Sequence, residues 1–260
     1  MKDVQNLLSA FTDEFNEAIA TRDGDWIVKG FIDIRKNIYT VSADTKVVSK
    51  IMELLLFPKF IRFAEQNGFK VLLSEQQNHY PDITFIDAFD RKYAIDIKST
   101  YRTSDTRVNG MTLGAYTGYF RERGSKKNIK FPYDSYVSHF VFGLIYSRSD
   151  SQIDERKIFS IDQLSSIASV IRDFQFFVQE KYKIATDRPG SGNTKNIGSV
   201  INIEDLINGR GPFTSLGKEV FDDYWMYYLT KDMATMAQLS KPPYTNLAQY
   251  AAYKNISLNR

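Results

Sequence analysis

One α/β or α+β domain is the fold class this sequence predicts, and three observations lead to it. Segments with apolar residues at helical spacing alternate with short runs rich in β-branched and aromatic residues. No internal repeat, low-complexity tract or clean linker divides the 260 residues. A hydrophobic fraction of 43% and an aromatic fraction of 14% are enough to build a sizeable core.

The elements follow in order. Leu7, Leu8, Phe11, Phe15 and Ile19 recur at helical spacing and predict an opening amphipathic helix, broken by Arg22-Asp-Gly-Asp25. Residues 26–41 read as two strands about a turn at Lys36-Asn37. Ser42 or Asp44 caps the next helix, with its buried stripe expected at Val47, Val48, Ile51, Leu54 and Leu55. Pro58 is expected to kink or end that helix, with a further helical piece at 61–65 before Gly68. Three strands follow at 70–74, 82–87 and 92–100. The short connection Asp87-Ala-Phe-Asp90 makes the last two an antiparallel hairpin. Residues 131–146 read equally as a strand or a buried helix. An amphipathic helix is expected over 164–182, with Ile167, Val170, Ile171, Phe174 and Val178 on one face. Residues 188–198 form a Gly/Ser/Asn-rich loop, and 221–229 and 247–253 are helical pieces.

Composition excludes several chemistries. With no cysteine and only His79 and His139, disulfides, thiol nucleophiles and a three-His zinc site in one chain are ruled out. A catalytic metal would therefore be held by carboxylate oxygens, which suit Mg²⁺, Mn²⁺ or Ca²⁺. The 34 Lys and Arg against 31 Asp and Glu leave +3, too little to mark a nucleic-acid binder from net charge alone. The N-terminal stretch carries acids on both sides of a short apolar patch, unlike a signal peptide. The longest apolar run, 140–146, is far short of the roughly 20 residues that span a bilayer. A soluble, cytoplasmic protein without a membrane partner is expected.

Tyr80-Pro-Asp-Ile-Thr84 followed by Ala94-Ile-Asp-Ile-Lys98 carries most of the chemical information. Alternation along a strand points Tyr93, Ile95 and Ile97 one way and Ala94, Asp96 and Lys98 the other. A hairpin brings Asp82 to the same end and face as Asp96. Two carboxylates and a lysine at a sheet edge are what metal-assisted phosphodiester hydrolysis requires. The triplet alone is weak, since roughly one Asp-x-Lys is expected by chance in a chain this long. Asp44-Thr-Lys46 is another, at a helix start. An Asp-Ile-Lys on an exposed strand is ordinarily a solvated ion pair.

The run Gly190-Ser-Gly-Asn-Thr-Lys-Asn-Ile-Gly-Ser199 matches neither the dinucleotide fingerprint nor the P-loop, so no nucleotide cofactor is expected. Its short amides suit base edges in a major groove, and its bland reading is a surface loop. Gln76-Gln-Asn-His79 is a plain turn or a groove-touching loop. Arg121, Arg123, Lys126, Lys127 and Lys130 form a basic cluster, read as a phosphate-contacting patch or a solvated face.

These motifs resemble, in order and with near-constant spacing, the EcoRV family of type II restriction endonucleases. They are Asp44-Thr-Lys46, Gln76-Gln-Asn-His-Tyr-Pro-Asp82, Ala94-Ile-Asp-Ile-Lys98, Thr112-Leu-Gly114 with Tyr116-Thr117, Gly190-Ser-Gly-Asn-Thr194 and Asn196-Ile-Gly-Ser199. The similarity runs from about residue 42 to 228, weakest over 150–184 and in both tails. The resemblance implies a restriction-endonuclease-like mixed central sheet flanked by helices, with a PD-(D/E)xK core. It implies one nuclease domain over 1–260. Within it, 1–43 with about 150–165 would dimerise, 44–149 would be catalytic, and 166–260 would recognise DNA. By position, Asp82 and Asp96 would be metal ligands, Lys98 the catalytic lysine and Glu53 an auxiliary, metal-associated acid. Gly190, Ser191, Gly192, Asn193, Thr194 and Asn196 would read the major groove. Gln77 and Asn78 would lie at the minor groove, with Thr45, Lys46, Thr100, Thr112 and Lys127 as backbone contacts. The implied reaction, in a prokaryotic cytoplasm, is Mg²⁺-dependent cleavage of both strands of duplex DNA by a homodimer. It leaves 5′-phosphates, with a blunt cut at GATATC as the suggested target. Mn²⁺ would substitute, and Ca²⁺ would support binding without cleavage. Part of the specificity would be indirect readout at the flexible central TA step. The sequence departs from the family at Lys195 (a threonine there), Gly118 (a serine) and Met226 (an arginine). The competing readings are a structure- or mismatch-selective repair or recombination nuclease with the same core, and a non-catalytic DNA-binding regulator.

Overall fold

The computed structural model describes residues 3–74, 76, 79–149, 154–190 and 195–257. The chain opens with two short helices, α1 (Val4–Ala10) and α2 (Thr12–Glu17), where one was expected. Asp3 caps α1 by accepting the Asn6 N–H at 3.1 Å, and the chain breaks helical geometry at Phe11. Strands β1 (Gly30–Ile32) and β2 (Ile38–Thr40) pair antiparallel about the expected turn, where Asp33 accepts the Arg35 and Asn37 N–H groups. Lys36 takes the left-handed φ of 64° there.

Helix α3 (Thr45–Asn67) begins where Asp44 accepts the Lys46 and Val47 N–H groups, and ends at Gly68 with φ 64°. The alternative that Pro58 ends the helix fails, and the buried stripe differs from the expected one. Pro58 lies inside the helix without ending it, because the carbonyl it deprives of a partner belongs to Leu54, and both residues are exposed. The buried stripe is Val48, Met52, Leu56, Phe60 and Phe63, while Leu54 is 58% exposed. Both stripes have helical spacing. The core uses the one that carries the phenylalanines.

Strands β3 (Lys70–Leu73), β4 (Ile83–Ile86), β5 (Lys92–Ser104), β6 (Arg107–Val108) and β7 (Thr112–Ala115) come next. The ambiguous segment 131–146 is mostly a strand, β8 (Tyr136–Arg148), followed by β9 (Ile158–Phe159). The helix expected over 164–182 does not form. That stretch holds the end of a 3₁₀ segment (Ile161–Ser166), then β10 (Ile171–Glu180), then one helical turn, α4 (Lys181–Ile184). Ile171, Phe174, Phe176, Phe177 and Val178 are β-branched or aromatic, and pairing with a neighbouring strand outweighs a periodicity that fitted a helix equally well. Strands β11 (Ala185–Pro189) and β12 (Asn196–Ser199) flank the Gly/Ser/Asn loop. Helices α5 (Ile203–Asn208), α6 (Gly217–Tyr227), α7 (Lys231–Met236) and α8 (Leu247–Lys254) complete the chain.

The largest sheet has the order β10-β8-β5-β4-β3, with β6 paired to β5. Two smaller sheets have the orders β1-β2-β9 and β11-β12-β7. The chain divides into two units, 1–70 with 97–109 and 142–178, and 71–96 with 110–141 and 179–260. The first unit centres on Phe15, Phe60 and Phe142, whose ring centroids lie 4.6–4.8 Å apart. The second centres on Tyr224, Trp225 and Tyr244, with the buried Tyr244 hydroxyl donating to the Tyr224 carbonyl at 2.7 Å. No helix among the described residues is long and apolar enough to cross a membrane.

Candidate active site

The β4–β5 hairpin is set by its turn. Asp87 accepts the N–H groups of Phe89 and Arg91 and pairs with the Arg91 guanidinium at 2.6 Å, while Asp90 takes φ 59°. That turn fixes the register Ile83↔Ile95, Thr84↔Ala94, Phe85↔Tyr93 and Ile86↔Lys92. Asp82 is the bend residue just before the paired Ile83, and Asp96 directly follows its partner Ile95. Alternation along the paired strands puts Asp96 on the face of Thr84 and Ala94. Ile83, Phe85, Tyr93, Ile95 and Ile97 pack on the other side.

The acid-bearing face is not a solvated one. Thr84 and Ala94 are buried and Asp96 is only 5% exposed, which removes the bland reading of a surface ion pair. Tyr119 feels the charge of both acids. Its phenol is pushed well above the ordinary 10.0, first by burial and then by the negative charges of Asp96 and Asp82. Its ring stacks on Tyr80 at 5.4 Å. Lys98 follows Asp96 by two residues on unbroken β5, hence on the same strand face. It is half-buried, and its ammonium donates to the Ile97 carbonyl at 3.3 Å.

The remaining predicted residues divide clearly. Glu53, on α3, ion-pairs with Lys50 at 2.8 Å. Thr45 and Lys46 are exposed on the first turn of α3, and Lys127 is exposed. Thr100 is buried, with its hydroxyl committed to the Asn109 carbonyl. Thr112 on β7, Gly190 and Asn196 on β12 come together in the three-stranded sheet. There β12 pairs with β7, and the Gly190 N–H donates to the Asn196 carbonyl at 2.8 Å. A Cβ on Gly190 would lie 3.1 Å from the Thr112 methyl, so the close approach favours glycine. Gln77, Asn78, Ser191, Gly192, Asn193 and Thr194 lie outside the described residues.

Among the described residues, no three Asp, Glu or His side chains gather to hold a metal ion. A pair of carboxylates without imidazole suits a hard cation that keeps part of its water shell and takes further oxygens from a phosphate.

A family model described as Restriction endonuclease EcoRV matches residues 22–255. The chain belongs to the EcoRV family of restriction endonucleases. The type II restriction enzyme EcoRV of Escherichia coli is 37% identical over 226 residues, 86% of this chain and 89% of that protein. The solved NlaIV restriction endonuclease covers 96% of this chain and 95% of its own, at TM-score 0.42 and 12% identity, too distant to bear on function. As an EcoRV-family member with an α/β restriction-endonuclease-like fold, the protein is a type II site-specific deoxyribonuclease acting on duplex DNA. A non-catalytic regulator is thereby set aside.

Two departures from the family acquire a structural setting. Gly118 takes φ +59°, where a serine would be strained, and Lys195 is exposed while its carbonyl accepts the Tyr116 N–H at 3.0 Å. The basic cluster is partly internal. Arg121 donates to the carbonyls of Tyr116 and Tyr228. Arg123 lies over the rings of Phe120 and Tyr133 and within 3.5 Å of Asp134 and Asp222. Sequence reasoning missed Tyr119 and Tyr80 as neighbours of the acids. The only local signal was Tyr80 standing next to Pro81-Asp82.

Proposed function

We propose that this protein is a homodimeric, Mg²⁺-dependent nuclease that cuts both strands of duplex DNA at GATATC, bluntly and leaving 5′-phosphates, in a prokaryotic cytoplasm. The observation that carries the proposal is the hairpin register Ile83↔Ile95, which has Asp82 just before one partner and Asp96 just after the other, with Lys98 two residues further along β5. Asp82 and Asp96 hold the metal. Mg²⁺ supplies, when bound, a Lewis acid that activates water and offsets charge developing in line. Mn²⁺ takes the same oxygen set, and Ca²⁺ supports binding without cleavage. Lys98 brings a compact cation to the scissile phosphate on that same face. Glu53 is an auxiliary acid that must leave Lys50 to take part. The loop between β11 and β12 reads base edges, with Thr112 and Asn196 at its root.

Support for the dimer comes from the sheet β1-β2-β9, where Phe31, Ile32 and Ile158 are each more than half exposed. Support for the target comes from the 37% identity to the Escherichia coli enzyme over 86% of this chain. Digestion of a DNA of known sequence with Mg²⁺, followed by end mapping, tests the reading. Blunt fragments at GATATC are expected. Discrete cuts at another palindrome would overturn the target, and scattered nicks would favour a structure-selective nuclease.

A further inference from the structure

Behind the two carboxylates lies a buried aromatic stack that the reaction as described does not use. Tyr80 is 6% exposed and His139 5% exposed, and the Tyr80 hydroxyl lies 2.8 Å from His139 Nδ1. One face of the Tyr80 ring meets Tyr119, and the Lys181 ammonium lies 4.6 Å from the Tyr80 ring centroid. The His139 ring stacks on Tyr133 at 3.9 Å. The Tyr80 backbone is pinned on both sides, its N–H donating to the Asn128 carbonyl at 3.0 Å and its carbonyl accepting the Lys130 N–H at 2.9 Å. Asp82 follows two residues later.

We propose that Tyr80 and His139 are a positioning pair, whose buried hydrogen bond fixes the Tyr80-Pro81-Asp82 segment and with it the position of the Asp82 carboxylate. The inference rests on the reading of Asp82 as a metal ligand. A ligand two residues from a pinned, ring-locked tyrosine has little freedom to swing away. Outer partners that hold metal ligands in place commonly alter metal affinity by about 10–100-fold. Burial, and then the charges of Lys181, Lys218 and Arg123, push the His139 pKa well below 6.5, so it stays a neutral partner for the phenol at working pH.

The test uses the full-length protein, the duplex identified by end mapping, and Ca²⁺ as the probe metal. Fluorescence anisotropy gives DNA affinity without metal, and then the Ca²⁺ concentration that half-saturates the gain in affinity. Tyr80→Phe keeps the ring and removes only the hydroxyl. It should raise the half-saturating Ca²⁺ concentration about tenfold, with metal-free affinity unchanged within twofold. His139→Asn, whose amide can replace Nδ1, should fall within threefold of wild type, whereas His139→Leu should behave like Tyr80→Phe. An unchanged Ca²⁺ requirement in Tyr80→Phe would overturn the inference, as would a parallel loss of metal-free affinity. Asp82→Ala separates the two levels. If it keeps the wild-type Ca²⁺ response, the metal-ligand reading itself fails. If it abolishes the response while Tyr80→Phe does not move it, only the positioning pair fails.

Discussion

Gly143 tests the packing of the first unit most sharply. It lies on β8 beneath Phe177 of β10. A Cβ there would sit 2.0, 2.1 and 2.5 Å from three ring carbons, at worst 1.4 Å short of the 3.4 Å at which ordinary contact begins. Phe177 is only 4% exposed, so the ring has no solvent to swing into. Relief therefore requires an off-rotamer ring or a displaced strand. Overpacking of this kind typically costs about 1–3 kcal/mol, and a shortfall this large belongs at the upper end or beyond. At about 2–4 °C per kcal/mol for a chain of this size, Gly143→Ala should lower Tm by roughly 6–12 °C. Circular dichroism melts and urea midpoints measure it. Phe177→Leu removes the offending ring atoms, so it should cost less in the Gly143→Ala background than in wild type. The coupling should fall within the 0.5–3 kcal/mol seen for contacting residues. A Gly143→Ala protein melting within about 2 °C of wild type would refute the reasoning. So would equal costs of Phe177→Leu in both backgrounds.

Three further outcomes are expected. Asp96→Ala should abolish Mg²⁺-dependent cleavage, a loss of several kcal/mol or about 10³-fold, with the melting curve retained. Cleavage within tenfold of wild type refutes the assignment. Asn193→Ala should reduce specific over non-specific DNA binding by about 1–3 kcal/mol, measured in Ca²⁺ at fixed salt, and an unchanged ratio would mean the loop does not read bases. Burial acts to raise the Asp87 carboxyl, but the Arg91 guanidinium and the Arg91 and Phe89 N–H groups outweigh it and hold it below the ordinary 3.8. Its stabilising effect is then complete above about pH 4 and is lost as pH falls through the depressed folded value. Asp87→Asn should therefore lower Tm at pH 7 and approach wild type near pH 3. A gap independent of pH would show that the turn does not depend on the ionised form.

The site was more legible in the sequence than the scaffold around it. The hairpin carrying Asp82 and Asp96 is local: a short turn, two alternating strands and an Asp suited to accept its own backbone N–H groups specify register within about 17 residues. The caps at Asp44 and Gly68 are equally local. The sheet β11-β12-β7 was only half legible, since loop composition marked 190–199 but not that β12 would pair with β7.

What only the tertiary structure decided is what depends on a distant neighbour. In α3 two apolar stripes have helical spacing, and the choice between them is made by the partners of Phe60 and Phe63: Phe15, Phe142 and Phe11. Pro58 stays inside because the carbonyl it orphans belongs to an exposed residue. The run 171–180 fits a helix by periodicity and becomes a strand because β8 offers it a ladder. Tyr80 and His139, 59 residues apart, meet in the buried interior, where an unpaired phenol or imidazole is costly. Turns and caps are set by backbone groups a few residues apart. Burial is set by whatever surface the rest of the chain presents.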